Sequence, residues 1–384
     1  MTPHRHLLLF LLIPLIHLFG GCDERDHASP LNQAAPWGPG PYPSSHQRLE
    51  VDLPDQREAI TLELWYPGKS PAPPDASPVS FEVSPENQEA LSSLLQRAPE
   101  GCPTARIQSR RGGAPRLDLG ARPLLIFSHC HNCGRYSSFS LAERLASHGF
   151  IVLSADHAGP LPFLEGAAGE PLSREQLDLR AAQIRQLLDL TLAGTLFEES
   201  GTLQGLRVDP DRVGIFGHSF GAVTAGRVTQ VDDRIRALAG LAAPIENPLL
   251  PGVKMAEIKV PVLFVLAEED NSIQEVGNML LRANYEAAHP PAWRVDLADA
   301  GHWSLSDLCA LTEPLSAGCG EGIRHSSGRA GELFDFIPVA RGIQITQDYL
   351  TAFFLTHLEA REDARQQLAP SLAPEGVRVW VREE

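Results

Sequence analysis

The chain has 384 residues, of which 43% are hydrophobic and 21% charged, a composition typical of a folded globular protein. Its 48 acidic and 32 basic side chains give a formal net charge of −16. Because nucleic-acid binding depends on clustered cations, this acidic excess argues against a nucleic-acid partner. The length suffices for one large α/β domain with a substantial core.

The first 21 residues have the pattern of an export signal. Arg5 precedes an apolar run over 7–19, which is too short to span a bilayer and ends in a Gly-Gly-Cys sequence. The segment LFGGC resembles a bacterial lipoprotein signal, which implies cleavage before Cys22 and lipid attachment to it. Acyl chains would then hold the protein at a membrane surface. We predict a signal peptide at 1–21, a lipid anchor and Pro/Gly-rich spacer at 22–46, and an exported cell-envelope protein, periplasmic or on the outer surface.

Two segments with period-two alternation, 49–53 and 60–66, predict an antiparallel pair of strands at one sheet edge. Short apolar runs follow, typical of strands that are buried on both faces. They lie at 124–128, 150–155, 212–217, 235–242 and 260–267, with a last strand at 292–298. Helical patterns separate them. These lie at about 137–148, 173–195, 219–230, 273–284 and 343–358.

This alternation predicts an α/β fold with a mostly parallel sheet of about eight strands and helices on both faces. A single domain at 47–360 fits the pattern, since no flexible boundary interrupts it. Residues 361–384 are left as a C-terminal tail.

The strongest chemical signal lies at Gly217-His218-Ser219-Phe220-Gly221, which has the form G-x-S-x-G. An apolar strand enters this segment and a small-residue helix leaves it. That context is typical of a nucleophile elbow, whose glycines allow a tight turn to expose the serine at the positive end of the helix. Ser219 is therefore the predicted nucleophile.

A serine nucleophile needs a base, and the base needs an acid to orient it. In this architecture the acid and the histidine follow in that order, each after a later strand. Glu268, Glu269 and Asp270 follow one buried strand, and His302 follows the next. Asp270 is favoured because its shorter side chain suits a fixed hydrogen bond to imidazole. Asp299, just before the histidine, is a further candidate.

The loop after strand 124–128 contains the sequence His129-Cys130-His131-Asn132-Cys133. An oxyanion hole needs backbone N–H donors, which we assign to Phe220, directly after the nucleophile, and to His131. Two other interpretations are a zinc site and a C-x-x-C redox motif. The donors are crowded for zinc, and a redox domain would leave most of the sheet unexplained. We therefore expect neither a metal nor a cofactor.

The chain has six cysteines. If the N-terminal cysteine carries lipid, five remain in an oxidising compartment. The close pairs Cys130/Cys133 and Cys309/Cys319 are the predicted disulfides, which leaves Cys102 without a partner. Spacing alone leaves other pairings of Cys102 open.

These segments resemble the α/β-hydrolase superfamily, in particular its dienelactone-hydrolase-like and platelet-activating-factor-acetylhydrolase-like esterases. The similarity runs from about 124 to 310. FSHCHNC and the residues up to SADH resemble the oxyanion loop, first helix and fourth strand of that group. GHSFG is similar to its nucleophile elbow, AGHWSLSDLC to its histidine loop, and EEDNSI to the acid loop of bacterial polyester hydrolases and cutinase-like lipases. The resemblance implies an α/β-hydrolase fold and ester hydrolysis.

Three positions depart from the family pattern. Dienelactone hydrolases have Cys where this chain has Ser219. The acetylhydrolases usually place their acid one strand earlier, where only Glu246 is near. The oxyanion loop has Cys130 where these families have Gly.

The sequence thus predicts a serine carboxylic-ester hydrolase that acts through an acyl-enzyme on Ser219, His302 and Asp270. Its predicted partners are a small-molecule or lipid ester and, through the N-terminal lipid, a membrane surface. Two alternatives remain: a non-catalytic envelope lipoprotein that keeps the scaffold for binding, and an amidase or thioesterase that uses the same triad. Phe163 and Trp303 are candidate apolar walls of the substrate pocket.

Overall fold

The computed structural model describes residues 35–383, with gaps at 55, 57, 74–76, 100–101, 104, 158–171, 199, 310–317 and 327. The predicted signal peptide, the lipidation site Cys22, most of the predicted spacer and the pocket candidate Phe163 lie outside the described residues.

The strands are β1 (Ser44–Val51), β2 (Ile60–Pro67), β3 (Arg110–Arg111), β4 (Arg122–Ser128), β5 (Ile151–Ala155), β6 (Val208–His218), β7 (Ile235–Leu241), β8 (Val262–Ala267), β9 (Ala292–Leu297), β10 (Glu321–Ile323), β11 (Leu333–Asp335) and β12 (Val377–Arg382). The α-helices are α1 (Pro85–Gln96), α2 (Phe139–Ser147), α3 (Arg174–Ala193), α4 (Thr195–Glu198), α5 (Phe220–Val231), α6 (Gln274–Ala287), α7 (Val339–Glu359) and α8 (Glu362–Gln367).

Ten of these strands form one sheet in the order β12-β9-β8-β7-β6-β4-β5-β2-β1-β3. The six central strands, from β9 to β5 in that order, are all parallel to one another. Antiparallel pairing occurs on either side of them, where β2 joins β5 and β12 joins β9. The predicted α/β architecture is confirmed, and β3 and β12 make the sheet wider than the predicted eight strands.

Successive side chains of β4 show how the sheet is buried on both faces. Leu125 and Phe127 pack in a core that includes side chains of α2 and α7. Leu124 and Ile126 point the other way, into a core that includes α3 and α5. All four side chains are at most 2% exposed. A strand covered by helices on both faces has no polar side, which explains its wholly apolar sequence.

The order of the strands reverses at β4. The chain passes from β4 to β5 on one side of it, and then returns through α3 to β6 on the other side. In open α/β sheets, ligands bind outside the carboxyl ends of the strands at such a reversal. The loops at that position here follow β4 and β6, and they carry the predicted oxyanion and nucleophile residues.

Residues 361–384, which the sequence analysis leaves as a tail, contain α8 and the edge strand β12. The Trp380 indole N–H donates to Asp296 at 3.1 Å, and the Arg294 guanidinium lies 4.7 Å from its ring centre. The sequence patterns also do not predict helix α1, although Ser84 caps its first turn and Pro85 begins it.

Within the described part of the chain, no helix combines the length and apolar character needed to cross a membrane.

One of the two predicted disulfides is wrong. Cys130 is bonded to Cys133, as predicted, but Cys319 is bonded to Cys102 and not to Cys309. Cys309 is buried and forms no disulfide. Cys309 and Cys319 do lie near each other, since the Gly318 N–H donates to the Cys309 carbonyl at 3.3 Å. Short spacing along the chain predicted the wrong pair because the fold brings a sulfur from 217 residues earlier to Cys319.

Replacement of both Cys102 and Cys319 by Ala is expected to lower the free energy of unfolding by about 2–5 kcal/mol, because this disulfide restricts a long loop of the unfolded chain. Urea unfolding followed by tryptophan fluorescence measures the change. The control is Cys309→Ala, which should cost only about 1 kcal/mol from the lost sulfur packing. An equal or larger loss in the control would contradict the pairing.

Candidate active site

Ser219 lies in a sharp turn between β6 and α5, with φ 57° and ψ −124°. A Cβ at Gly217 would lie 2.1 Å from the Gly221 carbonyl oxygen, and a Cβ at Gly221 would lie 1.9 Å from the Ser128 carbonyl oxygen. Neither position can therefore hold a larger residue without movement of the backbone. The Ser219 N–H donates to the Leu241 carbonyl at 2.9 Å, which fixes the turn to the neighbouring strand. The serine itself is partly exposed.

The structure brings the three predicted side chains into one hydrogen-bonded line. Nδ1 of His302 lies 2.8 Å from Oδ2 of Asp270, and Nε2 lies 2.9 Å from the Ser219 Oγ. Because a carboxylate only accepts, Nδ1 carries the proton and Nε2 accepts from the serine hydroxyl. Asp270 and His302 are both fully buried. The arrangement can accept a proton from Ser219 while the opposite side of the imidazole is held by an acid.

Asp270 is oriented by the two residues that directly precede α6. Its second oxygen, Oδ1, accepts from the backbone N–H groups of Ser272 and Ile273 at 2.9 and 2.8 Å. These bonds fix the carboxylate so that Oδ2 faces His302. The sequence favours Asp270 because its shorter side chain suits a fixed hydrogen bond to imidazole, and Asp270 is the acid that lies within hydrogen-bond distance of Nδ1 of His302.

The rival acids have other partners. Glu269 accepts from the Arg324 guanidinium at 2.8 Å and from the Ser326 hydroxyl at 2.7 Å. Burial alone would raise the pKa of Glu269, but these hydrogen bonds hold it below its ordinary value. Asp299 also contacts Arg324, at 2.6 Å, and Glu268 contacts Arg378. These contacts hold the rival carboxylates in other ion pairs.

The acid position of the acetylhydrolase pattern, one strand earlier, is also occupied differently. Glu246, after β7, accepts from the Met255 N–H at 2.8 Å and from the Lys254 ammonium at 3.1 Å. It therefore holds its own loop together.

Two residues that sequence reasoning missed support the backbone of the base. The His218 ring donates from Nε2 to the His302 carbonyl at 2.9 Å, and its ring centre lies 4.9 Å from that of His302. Burial, together with the nearby His302, lowers the pKa of His218 to about 3, so His218 stays neutral. Oδ1 of Asn271 accepts from the His302 N–H at 3.3 Å. The only sequence signal was their position, directly beside Ser219 and Asp270.

Trp303 packs nearly perpendicular to two imidazoles, with its ring centre 5.0 Å from that of His302 and 5.3 Å from that of His218. It is only 5% exposed. The contact stiffens the base against rotation, and it is closer to core packing than to the pocket wall that the sequence suggested.

The two residues predicted to supply the oxyanion donors lie next to each other. The ring of His131 contacts that of Phe220, with the centres 6.2 Å apart. Phe220 is the first residue of α5, so its N–H has no acceptor within the helix. The helix dipole also places partial positive charge at this end. The Phe220 N–H therefore lies at the positive end of α5, directly after Ser219.

A buried arginine orients the loop after β4. Arg180, from α3, donates to the carbonyls of His129 and Cys130 at 2.7 and 3.3 Å. The Cys130 carbonyl and the His131 N–H belong to one planar trans peptide, so the N–H points away from the arginine. The guanidinium also lies 4.7 Å from the centre of the Phe220 ring. No feature of the sequence marked Arg180 among the other helical arginines.

A zinc site in this loop would require free cysteine thiolates. Cys130 and Cys133 are joined as a disulfide, and a disulfide sulfur does not act as a thiolate ligand. Among the residues that the structure describes, no group of three or more His, Cys, Asp or Glu side chains could hold a metal ion.

Residues 133–303 match the dienelactone hydrolase family. A probable 1-alkyl-2-acetylglycerophosphocholine esterase of Arthroderma benhamiae is 28% identical over 265 residues, which cover 66% of this chain and 65% of that protein. The platelet-activating factor acetylhydrolase of Bos taurus is 29% identical over 182 residues, 38% of this chain and 40% of that protein. A cutinase of Thermobifida alba is 30% identical over 138 residues, 36% of this chain and 38% of that protein.

The chain therefore spans less than two thirds of the length of these relatives. Among solved structures, a ferulic acid esterase from Streptomyces cinnamoneus matches with a TM-score of 0.61 at 22% identity, over 90% of this chain and 98% of that one. At that identity the likeness establishes the fold. All four of these proteins are named for the hydrolysis of esters. The chain has an α/β-hydrolase fold, and its residues 133–303 match the dienelactone hydrolase family.

Proposed function

We propose that this protein is a serine carboxylic-ester hydrolase that works through an acyl-enzyme on Ser219, His302 and Asp270. The observation that carries the proposal is the continuous line of hydrogen bonds from Asp270 through His302 to a partly exposed Ser219. Similarity to named esterases gives independent support.

In the first half of the reaction, the Ser219 oxygen attacks the ester carbonyl while Nε2 of His302 takes its proton. Asp270 stabilises the imidazolium that forms. The carbonyl oxygen becomes an anion, which the backbone N–H groups of Phe220 and His131 bind. His302 then gives its proton to the departing alcohol, which leaves Ser219 acylated.

In the second half, a water molecule replaces the alcohol. His302 accepts a proton from this water as its oxygen attacks the acyl carbon. The same two amides bind the second anion, and collapse returns the proton to Ser219 and releases the carboxylic acid. Each step uses groups of this chain and water.

The substrates that we propose are small-molecule or lipid esters, because the named relatives act on acetylated glycerophospholipids, cutin and ferulic acid esters according to their names. We also propose, from the N-terminal sequence alone, that the protein is exported and anchored through a lipid on Cys22. Such an anchor would hold the site near a membrane surface.

Ser219→Ala is expected to lower kcat for short p-nitrophenyl esters by about 10⁴- to 10⁶-fold, because it removes the hydroxyl that is acylated. Fluorophosphonate labelling of the purified protein should be lost as well. The matched control is Ser272→Ala, an exposed serine whose backbone N–H continues to donate to Asp270. Hydrolysis that survives in Ser219→Ala would refute the proposal. Amide and thioester analogues assayed beside the esters test the choice of ester.

Asp270→Asn is expected to lower kcat by about 10³- to 10⁴-fold, because an amide no longer holds His302 in the required tautomer. Glu269→Gln is the matched substitution on the neighbouring acid, which contacts Arg324 and not the imidazole. It should change kcat by less than about tenfold, through small shifts of the loop. A larger loss in Glu269→Gln than in Asp270→Asn would assign the acid to Glu269. Steady-state hydrolysis of p-nitrophenyl butyrate gives both values.

Replacement of both Cys130 and Cys133 by Ala should lower kcat by about tenfold or more, with a much smaller change in KM. The disulfide constrains the turn that carries the His131 amide, and an oxyanion donor acts mainly on the transition state. The control is the variant in which Cys102 and Cys319 are both Ala, which loses the other disulfide outside this loop. Equal kcat in the two double variants would refute a role for the Cys130–Cys133 bond.

A further inference from the structure

Helix α2 follows the oxyanion loop, and its N-terminal cap comes from another part of the chain. Ser138 precedes the helix, but its side chain makes no capping hydrogen bond, and the first turn contains no acidic residue. The first backbone N–H groups of a helix have no acceptors within it. Asp307, in the loop that carries His302, supplies an acceptor, because its Oδ2 takes the Ser140 N–H at 2.8 Å.

Two more hydrogen bonds run in the opposite direction between these segments. The Asp307 N–H donates to the Ser137 carbonyl at 3.0 Å, and the Ser306 hydroxyl donates to the same oxygen at 2.7 Å. Asp307 is 6% exposed and Ser306 is 1% exposed. Hydrogen bonds shielded from water in this way compete little with solvent. The histidine loop and the start of α2 therefore form one buried, mutually bonded unit.

The start of α2 is in turn tied to the predicted oxyanion donor. Ser137 donates its N–H to the Gly134 carbonyl at 2.9 Å, and Cys133 donates its N–H to the Cys130 carbonyl at 3.3 Å. The Cys130–Cys133 disulfide closes the turn around His131. These successive tight turns restrict the movement of the His131 amide relative to the residues that Asp307 holds.

We propose that Asp307 is a positioning residue, which couples the loop of the base to the loop of the oxyanion donor so that both keep one geometry about Ser219. This inference rests on the proposed function, since it assigns a purpose to the relative placement of His302 and His131. The residue touches no reacting group. It acts through the Ser140 and Ser137 backbone, and an error of about 1 Å in such a placement can cost about 100-fold in rate.

The ionised form of Asp307 is the stronger acceptor for the Ser140 N–H. Burial raises the pKa of Asp307 to about 7, against hydrogen bonds from Ser140 that lower it. The test is therefore run at about pH 8.5, more than one unit above that value, so that the carboxylate is charged.

The experiment compares Asp307→Ala, Asp307→Asn and Ser84→Ala in the full chain. Ser84 caps α1 through the Asn87 N–H at 3.0 Å, so its removal breaks the same kind of bond in a helix that supplies no site residue. Loss of either cap should lower the melting temperature by about 2–4 °C. Asp307→Ala alone should also lower kcat by about 10- to 100-fold, with KM within about twofold of the starting protein. Asp307→Asn, which keeps an acceptor, should restore kcat to within about threefold.

An unchanged kcat in Asp307→Ala, or an equal loss in Ser84→Ala, would overturn the positioning role. If Asp307→Ala does not fold, Ser306→Ala decides the question, because it removes one bond to the Ser137 carbonyl and leaves Asp307 in place. It should lower kcat about threefold, and an unchanged kcat overturns the proposal. Ser219→Ala is assayed in parallel with fluorophosphonate labelling. Activity in that variant would refute the proposed function, whereas inactivity there with normal kcat in the other variants would refute only the role of Asp307.

Discussion

The hydrogen bond between the His302 imidazole and the Ser219 hydroxyl joins residues that are 83 positions apart. Neither side chain could hold the other alone, so the rest of the site consists of restraints on both. Ser219 is fixed by a turn that tolerates only glycine at two positions. His302 is held by Asp270 on one ring nitrogen, by His218 and Asn271 on its backbone, and by Trp303 against its ring. The parallel sheet provides the frame, because strand ends of neighbouring β4, β6, β7, β8 and β9 meet along one edge.

The imidazole that contacts Ser219, that of His302, is paired with the carboxylate of Asp270. Burial keeps the neighbouring His218 neutral by lowering its pKa to about 3, and burial beside Arg180 lowers the pKa of His129 well below its ordinary value. Glu269 is committed to Arg324 and the Ser326 hydroxyl. Asp270 remains as the acid that faces the imidazole, through its Oδ2. The other carboxylates near His302 are thus held by cations, which keeps them apart from the imidazole.

The loops around the site are also held by specific contacts. Arg180 restrains the carbonyls of the oxyanion loop from one side, the Cys130–Cys133 bond closes it, and Asp307 ties its continuation to the histidine loop. These three contacts come from α3, from the loop itself and from the loop after β9. Together, these contacts restrain the position of His131, the predicted oxyanion donor, relative to His302, the predicted base.

The sequence alone determined the features whose signals are local. Apolar runs indicated the central strands, and G-x-S-x-G marked the turn at Ser219. Strand-end position indicated His302 and a group of three acids, of which Asp270 was favoured for its shorter side chain. Only the tertiary structure decided that Cys102 bonds to Cys319, that β12 completes the sheet edge, and that Arg180 and Asp307 hold the oxyanion loop. The physical reason is that strand, helix and turn preferences arise from neighbours along the chain, whereas a disulfide partner, an edge pairing or a cap supplied from a distant loop exists only after the core has packed.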